Sequence, residues 1–257
     1  MNRKVILISV DGMRPDGLLQ CQNPFVEDMM KKGAYTLQAR SVVPPVTLPC
    51  HMSIFYSLPP ERHGITTNNY VPMVHRIHGL FDNIRYAGKR SAMYYAWEPI
   101  REVARPLSLK HAEYLWAYTE DNTDRILTNS ALRYAKKESP DFVFLHLVET
   151  DEKGGHDNGW MSEYYLKCIH DAIDDVKSIL DELGEEYTVI VTADHGGHDR
   201  THGTEMPEDM TIPMFFFGPD FEPGKQLSDI SLLDIAPTIA TLVGVPIEDA
   251  WEGKSII

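Results

Sequence analysis

What this chain lacks narrows its possibilities first. Only three of its 257 residues are cysteine (Cys21, Cys50 and Cys168), and no pair has Cys-x-x-Cys spacing. So odd and scattered a set excludes a disulfide framework and a cysteine-rich zinc site. Basic residues are scarce. The 24 Lys and Arg stand against 38 Asp and Glu, for a formal net charge of −14 at pH 7. That argues against a nucleic-acid-binding face. It also means that an anionic substrate needs local positive charge, such as bound metal, to approach. No apolar run is long enough to span a membrane. The first run, Val5-Ile6-Leu7-Ile8-Ser9-Val10, leads into Asp11-Gly12 and not into a small-residue cleavage site, so it reads as a strand rather than a signal peptide. A cytoplasmic protein is the simplest expectation, with an exported mature form as the other.

What is present fits a globular enzyme. Hydrophobic residues make up 43% and aromatic residues 10% of the chain, enough to bury a core. The length predicts a single domain over 1–257 with room for a small insertion. Strand and helix patterns alternate. Strands are expected at Val5–Val10, Arg90–Tyr95, Phe142–Val148, Tyr187–Ala193 and Pro213–Phe217, with an extended stretch at Tyr35–Val43. Helices are expected at Pro24–Lys32, Leu48–Ser57, Ile77–Ala87, Asn122–Lys137 (capped by Asp121 or Asn122), Met161–Leu183 and Leu232–Val243. Such alternation predicts an α/β fold, a mainly parallel sheet with helices on both faces. The stretch 70–118 fits least well. It holds Tyr94, Tyr95, Trp97, Tyr114, Trp116 and Tyr118 with His75, His78 and His111, and reads either as a small cap or as irregular packing.

The chemistry-bearing residues gather at strand ends. The run Val189-Ile190-Val191 ends in Asp194-His195, and His198 and His202 follow in a glycine-rich loop. Asp11 follows the first strand, and Asp151 and His156 follow Phe142–Val148. A lone aspartate after a strand is usually a turn former. Parallel strands, however, bring these ends to one edge of the sheet, where α/β proteins bind ligands. Asp11, Asp151, His156, Asp194, His195 and His202 exceed one tetrahedral site and suit two divalent ions. Two ions about 4 Å apart can clamp the attacking and leaving oxygens of a phosphoryl transfer. Three aspartates and two divalent ions leave the site slightly positive within an acidic protein. Thr47, between Pro44-Pro45 and Pro49, opens a helix and is either an N-cap or a nucleophile. Cys50 is the rival nucleophile, although a small buried cysteine is commoner.

These residues carry a resemblance. Asp11-Gly12-Met13-Arg14, Pro45-Val46-Thr47-Leu48-Pro49, His63-Gly64-Ile65, Thr192-Ala193-Asp194-His195-Gly196 and His202-Gly203 occur in an order that resembles the alkaline phosphatase superfamily. Within it, the type I phosphodiesterase/nucleotide pyrophosphatase branch is the most similar. The tail from Asp234-Ile235-Ala236-Pro237-Thr238 to Gly253-Lys254-Ser255 is similar to that superfamily's closing segment. The resemblance implies a three-layer α/β/α sandwich with a small or minimal cap within 70–118. It implies a two-metal phosphoric ester hydrolase acting on a small-molecule phosphodiester or related phosphoryl or phosphonyl compound. Asp11, Asp194, His195 and the Thr47 oxygen would bind one ion, and Asp151, His156 and His202 the other. Zinc is expected, with manganese or iron as alternatives. Thr47 would form a covalent phospho-threonine intermediate, which a water activated at the second ion would hydrolyse. Asn68 would hydrogen-bond a phosphate oxygen.

Some features depart from the pattern. Asp151 and His156 are five apart where the family has four, so either one residue is inserted or Glu152 takes the place of Asp151. His198 competes with His202 or supports it. A phosphomonoesterase or phosphonate hydrolase is the alternative on the same site, and Arg14 could supply the extra charge a monoester needs unless it pairs with Asp16. A sulfatase requires Cys-x-Pro-x-Arg, whereas Cys50-His51-Met52-Ser53-Ile54 lacks both the proline and the arginine. An inactive binding protein that keeps the fold is the remaining alternative.

Overall fold

The computed structural model describes residues 2–73, 77–105 and 107–257. Its elements are β1 (Lys4–Val10), α1 (Pro15–Gln20), α2 (Phe25–Lys32), β2 (Ala34–Arg40), α3 (Thr47–Tyr56), α4 (Pro60–His63), α5 (Leu80–Tyr86), β3 (Ser91–Tyr95), β4 (His111–Tyr114), α6 (Thr123–Glu138), β5 (Phe142–Leu147), α7 (Glu163–Leu183), β6 (Tyr187–Thr192), α8 (Pro207–Met210), β7 (Thr211–Phe217) and α9 (Ile235–Val243). Short 3₁₀ turns occupy Glu98–Val103 and Leu232–Asp234, and a π-helical turn occupies Thr150–His156.

The strands form one sheet in the order β2-β7-β6-β1-β5-β3-β4. β1 runs parallel to β5 and β6, and β3 to β5 and β4. β7 is antiparallel to both β6 and β2. The central strands β5 and β6 are buried throughout and β1 along nearly all its length. Helices on both faces of a parallel sheet account for that. α3, α5 and α9 pack together on one face, against β1 and β3, while α1, α2, α6 and α7 pack on the other, against β5, β6 and β7. The three-layer α/β/α sandwich is therefore present. No helix among the described residues is long and apolar enough to cross a membrane.

Local chemistry moves several boundaries. The helix expected from Met161 opens at Glu163, because Met161 has φ of 67° and Ser162 accepts the Tyr165 N–H as cap. Neither Asp121 nor Asn122 caps α6 through its side chain. Glu149 Oε1 takes the Thr123 N–H instead, at 2.9 Å. The helix expected over Leu232–Val243 divides at Asp234, whose carboxylate accepts the N–H groups of Ser231 and Lys254. Thr238 Oγ1 accepts from Ile256 N at 3.3 Å. The closing motif is thus a clasp that ties the tail to α9. The stretch 70–118 supplies α5, β3 and β4, so its strands extend the sheet instead of lying over it. It leaves Tyr114, Trp116 and Tyr118 exposed beside the sheet. His75 lies outside the described residues.

Candidate active site

Asp11 follows β1, Asp151 follows β5, and Asp194 follows β6. These three strands are adjacent and parallel, so the sheet gathers three carboxylates at one edge. All three are buried. Each keeps one oxygen without a hydrogen-bond donor: Asp11 Oδ1, Asp151 Oδ1 and Asp194 Oδ2. The other oxygens of Asp11 and Asp194 are tied back. His146 Nε2 donates to Asp11 Oδ2 at 2.9 Å, and Gly12 N donates to Asp194 Oδ1 at 3.3 Å. Gly12 has φ of 68°, and a Cβ there would meet Asp151 Oδ1 at 2.9 Å. Glycine at this position therefore admits the third carboxylate.

The histidines follow the same pattern. His156 Nδ1 donates to Arg200 O at 3.0 Å, His195 Nδ1 to Gly196 O at 2.7 Å, and His202 Nδ1 to Pro45 O at 2.9 Å. Each carbonyl bond fixes a tautomer that turns an Nε2 lone pair to the site. His195 Nε2 stands 3.3 Å from Asp11 Oδ1 and 3.4 Å from Asp194 Oδ2. His156 Nε2 is 3.4 Å from Asp151 Oδ2, and His202 Nε2 is 3.9 Å from Asp151 Oδ1. Electron-rich atoms facing one another in a buried place need a proton or a cation between them.

The ligand atoms of Asp11, Asp194 and His195 fall within 4.8 Å of one another, and so do those of Asp151, His195 and His202. The first cluster holds the protein side chains expected for one ion, while the second brings Asp151 and His202 together with His195 in place of the expected His156. His195 lies between them, its ring stacked on His202 at 3.8 Å. His156 joins at the rim, close to Asp151 but half-exposed.

Protonation agrees. Burial, and then the charges of Asp194 and its neighbours, push Asp11 and Asp151 far above the usual carboxylate range. Burial also acts on Asp194, but His195, His51 and His146 hold it below that range. Burial and His195 push His202 down to about 3, so its ring is neutral and able to donate a lone pair. Hard carboxylate oxygens and neutral imidazoles suit borderline divalent ions such as zinc or manganese.

Thr47 begins α3, with Val46 as N-cap, so the threonine is not the cap. Its Oγ1 is 3.2 Å from His195 Nε2. The free N–H of Leu48 is taken instead by Asn68 Oδ1 at 3.0 Å. That bond leaves the Asn68 amide N–H₂ available to the cleft that Asn68 and Thr47 line with Trp97, Asp151, Glu152 and His202. The cleft is small, about 50 Å³, and no Lys or Arg is among its described lining residues. Cys50 is fully buried away from it, near Ser41 Oγ at 3.3 Å, and burial pushes its thiol up.

Arg14 pairs with Asp16 and donates to Gly197 O at 2.9 Å, so it clamps the histidine loop and does not face the cleft. His198 Nδ1 bonds Asp209 Oδ1 at 2.7 Å, and Asp209 also accepts from Thr204. His198 therefore closes the loop and stands outside both ligand clusters. The five-residue spacing of Asp151 and His156 is the π-turn itself, in which Gly154 N donates to Glu149 O and Asp157 N to Glu152 O. A π-turn holds one residue more than an α-turn and so keeps Asp151 and His156 on one side. Asp151 is the buried carboxylate in contact with His156 and His202, while Glu152 points toward the rim, where Tyr118 OH donates to it at 3.4 Å.

Two histidines escaped the sequence reading. His146 sits mid-strand in an apolar run, and His51 spans Thr47 O at 2.8 Å and Ser9 Oγ at 3.1 Å. A histidine inside a fully buried strand was the available signal.

A family-wide sequence model described as type I phosphodiesterase / nucleotide pyrophosphatase matches residues 5–208. The chain belongs to this family. It is similar to human ectonucleotide pyrophosphatase/phosphodiesterase family member 1, at 28% identity over 222 residues. That match spans 74% of this chain but only 23% of the relative. The fold superposes on murine ectonucleotide pyrophosphatase/phosphodiesterase 5, solved in complex with AMP, with a TM-score of 0.78 and 16% identity, covering 95% and 96% of the two chains. It also superposes on the phosphonate monoester hydrolase of Agrobacterium radiobacter, with a TM-score of 0.80 and 14% identity, over 99% and 76%. All of these fit the alkaline phosphatase superfamily.

Proposed function

We propose that this member of the phosphodiesterase/nucleotide pyrophosphatase family hydrolyses a small phosphodiester, with Thr47 as nucleophile. One observation carries the reading: three buried carboxylates with orphaned oxygens and three oriented imidazoles converge beside a threonine hydroxyl. Asp11, Asp194, His195 and Thr47 would hold one divalent ion, and Asp151, His156 and His202 a second, zinc being the first choice. When bound, the ions supply the positive charge that lowers the pKa of the Thr47 hydroxyl and balances phosphate oxygens.

The chain's own groups do the rest. Thr47 Oγ1 attacks phosphorus, and the bond to the leaving oxygen breaks. Water then cleaves the phospho-threonine ester. The Asn68 amide N–H₂ donates to a non-bridging oxygen, and Asn68 Oδ1 anchors it to the first turn of α3. A substrate with one negative charge suits a cleft with no lysine or arginine among its described lining residues, which favours a diester over a dianionic monoester. A phosphonate monoester has the same single charge and is the second reading, supported by the likeness to a phosphonate monoester hydrolase. Against a sulfatase stands Cys50, buried outside the cleft.

The deciding experiment compares bis-p-nitrophenyl phosphate, p-nitrophenyl phosphate, a phosphonate monoester and a sulfate ester. The diester is expected to turn over fastest. Thr47→Ala is expected to fall to background with both ions retained; undiminished turnover removes Thr47 as nucleophile.

A further inference from the structure

We propose that Trp160 is the positioning residue that holds the Asp151–His156–His202 half of the site in register with the Asp11–Asp194–His195 half. The proposal rests on the reading of those residues as ion ligands. Trp160 is not itself a candidate ligand, yet its indole reaches the loops after β1, β5 and β6, which supply every candidate ligand except Thr47.

Nε1 donates to Gly12 O at 3.0 Å, on the turn directly after Asp11. The ring stands edge-on to His156 at 5.2 Å and to His202 at 5.9 Å. It also occupies the space of two absent side chains. A Cβ at Gly155 would come within 2.5 Å of Cζ2, and one at Gly197 within 2.2 Å of Cε2. One of these glycines lies in the π-turn and the other in the histidine loop. The indole is thus wedged between the loops after β5 and β6 and hydrogen-bonded to the loop after β1.

The backbone secures the wedge. Trp160 N donates to Asp199 O at 2.8 Å. Gly159 and Met161 on either side have φ of 97° and 67°. A methionine in the left-handed region is disfavoured and persists where its surroundings over-determine it. The ring is 7% exposed. Packing that fixes an imidazole's orientation sets ion affinity without touching the ion. His202 is fixed on one face by the stacked His195 ring, and Trp160 borders it edge-on. Loss of the indole leaves His156 and His202 with their carbonyl bonds but without the edge-on packing that holds their rings in place, whereas no indole contact is made to the rings or carboxylates of Asp11, Asp194 and His195.

The test titrates the metal-depleted full chain with Zn²⁺, reading bound ion by equilibrium dialysis and elemental analysis, and indole emission in parallel. Wild type is expected to take up two ions, one of them with a change in emission. In Trp160→Phe, which keeps a ring in place, one ion should bind about 10- to 100-fold more weakly and the other unchanged, and the emission change should vanish. Trp251→Phe serves as control, since that indole bonds His78 O far along the chain and should leave the response intact. Gly197→Ala, which displaces the indole, should weaken the same single ion. Both ions weakened alike, neither weakened, or an emission change that survives in Trp160→Phe each overturns the assignment. Absence of ion uptake by wild type would instead overturn the reading of the site.

Discussion

At the residue scale, one end of each candidate imidazole and of the Asp11 and Asp194 carboxylates is tied off and the other is left free. Nδ1 of His156, His195 and His202 each meets a backbone carbonyl, and Asp11 Oδ2 meets His146. The free ends then need no reorganisation to receive an ion. His146→Phe removes the donor to Asp11 in a fully buried setting. We expect ion affinity to fall about 10- to 100-fold, measured by competition with a chromogenic chelator. Unchanged affinity would show that Asp11 holds its place without help. Asp194→Ala should lose an ion and turnover together, because Asp194 Oδ2 faces both His195 and His51. The candidate ligands were legible in the sequence as Asp and His residues placed directly after buried strands, where such groups are chemically costly. Their supports were not, because His146 looks in sequence like any residue of an apolar run.

At the element scale, the π-turn and the helix pair behind it matter most. The strands were readable from their β-branched runs, and α7 from its apolar periodicity. The Thr150–His156 turn was not, because a hydrophobic pattern of period 3.6 does not announce one extra residue. Deleting Glu152 leaves Asp151 and His156 four apart, which an α-turn also presents on one side. Uptake of both ions should survive that deletion, and loss of one ion would show that the site needs the wider turn. Behind this turn, Arg125 of α6 pairs with the buried Asp175 of α7 at 2.8 Å. Burial pushes the Asp175 carboxyl up to about 7, against the pull of Arg125 and Thr128. Its folded pKa thus exceeds the unfolded value near 3.8. The stability linked to its proton is present below the lower value and lost as pH rises through the upper one. Thermal melts between pH 4 and 7 should therefore decline less in Asp175→Asn than in wild type. Equal slopes would mean that Asp175 does not titrate in that window.

At the scale of the whole molecule, a net charge of −14 surrounds a cleft with no described Lys or Arg in its lining. The long-range field repels an anionic ester even where the occupied site attracts it. Added monovalent salt screens that field over roughly 10 Å at 0.1 M, so kcat/KM for the diester should rise with ionic strength before levelling off. A monotonic fall would place attraction, not repulsion, in control of encounter. The sheet order also has a temporal consequence. β1, which precedes Asp11, lies between β5 and β6, and the candidate ligands extend to His202. A growing chain therefore emerges with Asp11 long before its neighbours exist, and the first strand must wait for most of the polypeptide before it can be enclosed. Ion capture at the proposed site would then be a late event of synthesis, open only once the sixth strand and its loop have left the ribosome. In refolding, ion uptake should lag the first helical signal and coincide with closure of the central strands.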